Sequence, residues 1–187
     1  AKENDVSLMV GHVLLFHPAI IKIKQIIDSG RIGQLQYIYS NRLNLGKVRT
    51  EENVFWSLAP HDISIFQYFT NSYPLKVNAT GSTFLQEGIP DSTLTTMQYE
   101  NGISGHIFVS WLHPFKEHRF VIIGSKGMLR FEDSLDNKPL IFYNKKVDFS
   151  DSVPKPKNGE VKKISYRKTA PLKNELKYFI SNLDNPD

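Results

Sequence analysis

Short runs of residues that favour β-strands dominate the chain after residue 75, and this pattern constrains the fold most. The runs cover residues 77–81, 92–99, 103–111, 118–123, 128–132 and 140–143. Glu100-Asn101-Gly102 and Ser125-Lys126-Gly127 separate two pairs of them, and asparagine and glycine tolerate the positive φ that hairpin turns require. A series of strands joined by tight turns predicts a largely antiparallel sheet.

Helical patterns lie before and after these strands. A first helix is predicted from Pro18 to Gly30, because proline suits a first helical turn and glycine suits a terminating one. Its buried stripe is Ala19, Ile20, Ile23, Ile26 and Ile27. A last helix over 171–183 places its apolar residues on one face: Leu172, Leu176, Phe179, Ile180 and Leu183. Strands are also expected over 6–10 and 34–45, the latter with Leu35, Tyr37 and Tyr39 alternating against Gln34, Gln36 and Ile38.

This arrangement predicts an α+β fold, with an open, largely antiparallel mixed sheet and helices packed on one face. The valine, isoleucine, phenylalanine and tryptophan residues of the strands make the other face apolar as well. An apolar face needs a cover, and self-association is the simplest one. We therefore expect a homo-oligomer.

The composition excludes several kinds of site. A chain of 187 residues with 40% hydrophobic content suffices for one ordinary domain, and the absence of cysteine excludes disulfides, thiolate metal sites and cysteine nucleophiles. No apolar run approaches the roughly 20 residues that cross a bilayer. The histidines lack metal-ligand spacing, so no metal site is predicted. We expect a cytoplasmic protein without a membrane partner.

The formal charge of +4 is unevenly distributed, because basic residues outnumber acidic ones between Lys138 and Lys168. Residues 152–159 carry no aromatic side chain that could stack on bases. This segment is predicted to be a solvated surface loop, and no nucleic-acid partner is expected.

The stretch 56–62, Trp-Ser-Leu-Ala-Pro-His-Asp, places a histidine and a carboxylate at the predicted start of a helix. Pro60 fits a first helical turn, and Ser57 or Asp62 is available to cap free amides. Apolar residues follow at helical spacing: Ile63, Phe66 and Phe69. Near the positive end of the helix dipole, His61 stays neutral and can accept a proton. The alternative is a half-buried histidine that only hydrogen-bonds within the fold.

Several segments together resemble the glucose–fructose oxidoreductase/inositol dehydrogenase family. They are residues 8–19, 27–33, 56–63, 109–111 and 122–127, and the resemblance extends to about residue 135. Residues 39–46 and 111–117 are most similar to the branch that acts on nucleotide-linked N-acetylated sugar acids.

The resemblance implies a Rossmann domain that binds NAD or NADP, followed by an open-sheet domain that completes the substrate site and builds dimers or tetramers. Residues 1–11 then correspond to a remnant of the last Rossmann strand, and residues 12–187 to the substrate-binding and oligomerisation domain. The family's glycine fingerprint and Glu-Lys-Pro segment are expected upstream of Ala1. The chain itself has G-x-x-G spacings without G-x-G-x-x-G, so we expect it to bind no cofactor alone.

The resemblance also implies roles for individual residues. His61 matches the base that takes the hydroxyl proton as hydride leaves the same carbon for nicotinamide. Ser57 stands where the family usually has an aspartate that positions the sugar, and Asn44 is the other candidate for that role. Asp62, next to His61, is a further candidate for substrate binding.

Charged residues after the second predicted strand are also candidates. Lys47 and Arg49 suit carboxylate or diphosphate oxygens, and their alternative is an exposed loop. His12 and Pro18 match positions at the domain junction, on the cofactor side.

The predicted function is the substrate-binding and oligomerisation part of an NAD(P)-dependent oxidoreductase that oxidises a hydroxyl of a sugar or nucleotide-sugar acid. This part is expected to be inactive by itself. The alternative is a non-catalytic oligomerisation or ligand-binding module.

Overall fold

A computed structural model describes residues 2–4, 6–150 and 153–183. The described chain forms one eight-stranded sheet in the order β2-β3-β4-β1-β5-β6-β7-β8. The strands are β1 Leu35–Leu43, β2 Lys76–Ser82, β3 Ser92–Gln98, β4 Ser104–Ser110, β5 Glu117–Gly124, β6 Met128–Glu132, β7 Leu140–Asp148 and β8 Lys155–Lys163. Only the β1–β4 pair is parallel among these strands, so the predicted open, largely antiparallel mixed sheet of an α+β fold is confirmed.

Three α-helices accompany the sheet: α1 Pro18–Asp28, α2 Val54–Thr70 and α3 Pro171–Ser181. Short 3-10 turns lie at Lys2–Asn4, Val13–Phe16 and Glu100–Gly102. Pro18 begins α1 as predicted, and Gly30 follows its end with a positive φ of 69°. The turn at residues 100–102 has Asn101 and Gly102 at positive φ, as that hairpin requires.

The core lies between one face of the sheet and helices α1 and α2. The sheet contributes Ile38, Ile107, Phe120, Ile122, Leu129 and Phe131, and the helices contribute Ala19, Ile20, Ile23, Ile65, Phe66 and Phe69. The opposite face of the sheet, called the open face below, is half-buried and carries Tyr37, Tyr39, His106, Phe108, Val121 and Ile123. No helix in the described ranges is long and apolar enough to cross a membrane.

The alternation predicted for β1 is reversed over most of its length. Ile38, Ser40 and Arg42 face the helices, whereas Tyr37 and Tyr39 lie on the open face. The register of β1 against β5 shifts between Leu35 and Tyr37. Such an irregularity moves the side chains that follow it to the opposite faces of the sheet.

Two segments differ from their predicted structure. Residues 6–10 are described but form no strand. The segment 152–159 was predicted as a loop; Ser152 lies outside the described residues, and residues 155–163 form the edge strand β8. Every residue of β8 is exposed, so its charges remain solvated while its backbone pairs with β7.

Helix α3 does not bury the apolar face that its sequence predicts. Leu172, Leu176 and Ile180 are exposed, and Glu175 is the buried residue instead. The segment 6–10 reaches the same region, because the Ser7 hydroxyl donates to the carbonyl of Leu183, and Val6, Leu8 and Val10 are exposed too. Together these side chains form an apolar surface, called the α3 surface below.

Candidate active site

His61 lies in the middle of α2, not at its start. The helix begins at Val54, and Asn53 caps it by accepting a hydrogen bond from the amide of Trp56 at 3.0 Å. Pro60 is therefore inside the helix, where it removes one backbone hydrogen bond. The predicted capping by Ser57 or Asp62 and the predicted effect of the helix dipole on His61 are both wrong for this reason.

The His61 ring is nevertheless held neutral by its surroundings. Burial lowers the pKa of His61, the positive charge of Arg42 lowers it further, and Asp62 opposes the change. The Nδ1 atom is buried and has no hydrogen-bond partner among the described residues. A half-buried, neutral imidazole is able to accept a proton at the part of its ring that a substrate can reach, and the buried Nδ1 is not that part.

His12 and Ser57 lie near His61. The ring centroids of His12 and His61 are 6.4 Å apart in an edge-on arrangement. Ser57 precedes His61 by one helical turn, so both side chains project from the same side of α2. His12 also lines a cavity of about 460 Å³ with Ser64, Gln67, Tyr68 and Tyr73 along the second half of α2.

Asp62 lies inside the fold, whereas the sequence predicted that it binds substrate. It is completely buried, and its carboxylate accepts hydrogen bonds from Arg42 and Ser40 of β1. Direct contact with a substrate is not available to a carboxylate in this position, so the structure corrects the substrate-binding prediction for Asp62.

Asn44, Lys47 and Arg49 lie in the segment 44–53 that joins β1 to α2. The backbone amide of Asn44 donates to the carbonyl of Ser110, which holds this segment at the end of β4. Lys47 is exposed, whereas Arg49 pairs with Glu52 at 3.2 Å and its carbonyl accepts from the Gln86 side chain. The segment therefore presents an exposed lysine and an arginine paired with Glu52 just before α2.

Pro18 begins α1, and the helix terminus next to it is already capped. The Nδ1 atom of His17 accepts a hydrogen bond from the amide of Ala19 at 3.1 Å, and proline itself has no N–H. The pKa of His17 is lowered by burial, although Asp133 opposes this. This helix terminus therefore has little capacity to bind a cofactor phosphate.

Sequence reasoning missed Arg42 and His118. They face each other across β1 and β5 on the helix-covered face of the sheet. Burial lowers the pKa of His118 to about 4, with further contributions from the charges of Arg42 and Lys116. Arg42 could have been recognised as an arginine on the buried side of a strand. The predicted alternation of β1 placed the wrong residues on that side, so this signal was not seen. The described residues contain no group of three or more metal-ligating side chains.

The fold corresponds to the C-terminal domain of an oxidoreductase class. The family model of the GFO/IDH/MocA C-terminal domain matches residues 20–130. The chain belongs to this family.

Curated relatives include scyllo-inositol 2-dehydrogenase (NAD(+)) of Bacillus subtilis, which is 25% identical over 164 residues, 82% of this chain and 48% of the relative. Another is 2,7-anhydro-N-acetylneuraminate hydratase of Mediterraneibacter gnavus, 24% identical over 70% of this chain and 39% of the relative. The chain thus spans less than half the length of these curated relatives.

Solved structures share the fold. UDP-N-acetylglucosamine 3-dehydrogenase GnnA of Acidithiobacillus ferrooxidans superposes with a TM-score of 0.79 at 22% identity, covering 98% of this chain and 56% of that chain. Levoglucosan dehydrogenase in complex with NADH and levoglucosan gives a TM-score of 0.67 at 18% identity, over 85% of this chain and 49% of that one. Dehydrogenases that use NAD(H) and act on sugars or inositols are therefore among the proteins similar to this chain.

Proposed function

We propose that this chain is the substrate-side domain of an NAD(P)-dependent oxidoreductase that oxidises a hydroxyl of a sugar or nucleotide-sugar acid, with His61 as the general base. The observation that carries the proposal is the state of His61: half-buried, held neutral by its surroundings and placed beside His12. A positioned base of this kind typically contributes about 10²–10⁴-fold to a reaction rate.

The residues of this chain are suited to contact the nicotinamide ring of the cofactor but not its phosphates. His12 stands beside His61 and lines a cavity along α2, whereas at the start of α1 Pro18 has no N–H and the Ala19 amide is already capped by His17. When bound, the nicotinamide accepts hydride. His12 is therefore the residue of this chain that would contact the reactive end, and the phosphates require another part of the protein.

The α3 surface supports a second domain. Leu8 and Val10 are exposed at 81% and 69%, and the apolar face of α3 is exposed beside them. Exposed apolar patches of this kind mark interfaces. We propose that the nucleotide-binding domain packs here. A chain that lacks this domain should fail to bind NADH. A saturable change in NADH fluorescence on mixing NADH with the isolated chain would contradict the proposal that cofactor binding needs the second domain.

Substrate acids have suitable partners in the segment 44–53. Lys47 and Arg49 offer cations for carboxylate or diphosphate oxygens, and Asn44 offers an amide for a sugar hydroxyl. The side chain of Asn44 lies over Gly46, where an added Cβ would be 2.4 Å from its Nδ2 atom. Gly46→Ala should therefore displace Asn44 and raise KM.

The proposed role of His61 is tested by His61→Asn in a protein that joins this chain to its nucleotide-binding domain. We expect kcat to fall about 100-fold or more, with a small change in KM. His113→Asn is the matched control, because His113 lies in a loop and its ring hydrogen-bonds to the Phe115 carbonyl. Unchanged turnover in His61→Asn would overturn the assignment.

The open face favours a second role, self-association. Tyr37, Tyr39 and His106 form an aromatic cluster on it, with Tyr39 and His106 stacked at 5.1 Å. Next to this cluster a groove of about 590 Å³ runs to the edge strand β2. We propose that copies of the chain associate through this face. If the chain has no catalytic role, this self-association is the function of the alternative, a non-catalytic oligomerisation module.

Val121→Glu places a charge in the centre of the open face and should convert the oligomer to monomers in light-scattering measurements. Leu135→Glu is the control, since Leu135 is exposed in the loop between β6 and β7, outside the strands of the open face and outside the α3 surface. An unchanged mass for Val121→Glu would exclude this interface.

A further inference from the structure

A buried ion pair connects strand β1 to helix α2 at the residue next to His61. Asp62 is 0% exposed and the Arg42 side chain 8% exposed. Arg42 donates to Asp62 from Nη2 at 2.7 Å and from Nε at 3.2 Å, and Ser40 Oγ donates to the second carboxylate oxygen at 3.2 Å. This geometry fixes the position of α2 over the sheet at the level of the proposed base.

Stability alone is a poor explanation for such a pair. Taking both charges out of water costs several kcal/mol, and well-packed apolar residues are often as stable or more stable in the same place. On the neighbouring strands Arg42 is paired with Val109 of β4 and His118 of β5, and Ser40, one step along β1 on the same face, is paired with Ile107 and Phe120. A charged pair in this position therefore indicates a role beyond packing.

The pair dominates the charges around His61. On α2 itself the neighbouring charge is Asp62, on β1 it is Arg42, and the segment before the first α-helix contributes His12. Strands β3 and β4 present uncharged Thr95 and Ile107 toward the helix layer, and Lys24 of α1 lies over the Tyr68 ring, two turns further along α2. Beyond Arg42 lie His118 and Asp133, with Lys116 and Lys138 near His118.

We propose that Arg42 is a positioning residue for the reaction: through its buried ion pair with Asp62 it fixes the place of His61 over the sheet and sets the charges that surround the imidazole. This inference rests on the proposed function of His61. Asp62 balances Arg42, so the two residues have opposite effects on the protonation of His61.

The decisive test is the titration of the His61 ring, followed by NMR of the histidine ring protons and assigned with His61→Asn. Arg42→Met removes the positive charge and leaves the carboxylate, so the midpoint of His61 should move to higher pH. Asp62→Asn keeps the shape and the hydrogen bonds to Ser40 but removes the negative charge, so the midpoint should move to lower pH. Arg42→Lys keeps the charge and should leave the midpoint near that of the original chain.

Arg119→Met is the matched control. Arg119 is also a strand arginine that pairs with carboxylates, but it lies on the open face. Its removal should leave the His61 midpoint unchanged. If Arg42→Met does not fold, Asp62→Asn decides: an unchanged or raised His61 midpoint in Asp62→Asn overturns the proposal, as do shifts of the same sign in both variants.

In the complete enzyme the low-pH limb of kcat/KM should move in the same direction as each titration. Arg42→Lys should lower kcat about tenfold or more while this limb stays in place, because the two-point hydrogen bond that orients α2 is lost. A kcat equal to that of the original enzyme in Arg42→Lys would exclude the positioning role. The titration shifts do not depend on turnover. Unchanged turnover in His61→Asn would therefore overturn the proposed role of His61 as the base, while the titration of the Arg42 and Asp62 variants tests the Arg42 proposal separately.

Discussion

The two faces of the sheet carry the same kind of ion pair in different surroundings. On the helix-covered face, Arg42 pairs with Asp62, and both are almost fully buried. On the open face, Arg119 pairs with Glu132 at 2.8 Å and with Glu117 at 3.4 Å, and its side chain is 33% exposed. Arg42 thus has a single carboxylate partner within ion-pair distance among the described residues, while Arg119 has two, of which Glu132 is hydrogen-bonded, and retains access to water.

This difference shows how burial determines what a charge contributes. A deeply buried arginine depends entirely on its partner, and its field acts on neighbouring groups with little screening. A partly exposed arginine in a network is replaced more easily by water. We therefore expect electrostatic effects on function at the covered face and association at the open face.

The largest expected effect compares the packing of the two faces. Phe120→Ala removes a fully buried ring from the covered face and should lower the free energy of unfolding by about 3–5 kcal/mol. Val121→Ala, the neighbouring residue on the half-buried open face, should cost about 1 kcal/mol or less in the monomer. Urea unfolding of both variants measures this difference; equal losses would show that the two faces are packed alike.

The next effect comes from breaking the buried pair. Asp62→Ala leaves Arg42 charged without its carboxylate and should lower the free energy of unfolding by about 3 kcal/mol. The double variant Arg42→Met/Asp62→Ala removes both charges and should recover part of this loss. Additive losses in denaturant unfolding would contradict the interpretation that an unpaired buried charge causes the destabilisation.

A pH-dependent effect separates the faces further. The pKa of His118 is about 4 in the fold because its ring is buried, and the ordinary value for the unfolded chain is 6.5. Between these values the unfolded state binds a proton that the folded state does not, so stability falls as pH falls from 6.5 toward 4.

His118→Gln should therefore flatten the dependence of Tm on pH in this window. His106→Gln on the open face should flatten it less, because burial alone lowers the pKa of His106, whereas the charges of Arg42 and Lys116 add to the effect of burial at His118. An equal slope in His118→Gln and the original chain would show that His118 does not contribute to the loss of stability in acid.

Helix α1, on the covered side of the sheet, was the element that the sequence predicted most successfully. It has clear boundary residues, because Pro18 and Gly30 act locally, and Ile20, Ile23 and Ile26 are buried as expected, whereas Ile27 is half-buried. The strand pairs around Asn101 and Gly127 were predictable for the same reason. Strand β8 was not, because its pairing depends on β7 and its own residues are polar and exposed.

The surroundings of the candidate site were predicted in part. His61 was singled out from the residue types around it, but the start of α2 was misplaced because Pro60 resembles a helix-start signal while Asn53 provides the cap. Arg42 was missed because its burial depends on a register irregularity that involves β5, which is distant in sequence. The exposed face of α3 likewise has no local signal, since its amphipathic pattern is the same whether or not a cover is present.

The smallest expected effect tests the open-face pair directly. Glu132→Ala leaves Arg119 with Glu117 and with solvent, so the free energy of unfolding should fall by about 1 kcal/mol or less. A double-mutant cycle with Arg119→Met should give a coupling energy well below that of the corresponding Arg42–Asp62 cycle. Raising the salt concentration should weaken the Arg119–Glu132 coupling more than the Arg42–Asp62 coupling, because salt screens partly exposed charges and reaches buried ones poorly. Equal couplings at low salt would mean that the partners of each arginine, and not its exposure, set the strength of the pair.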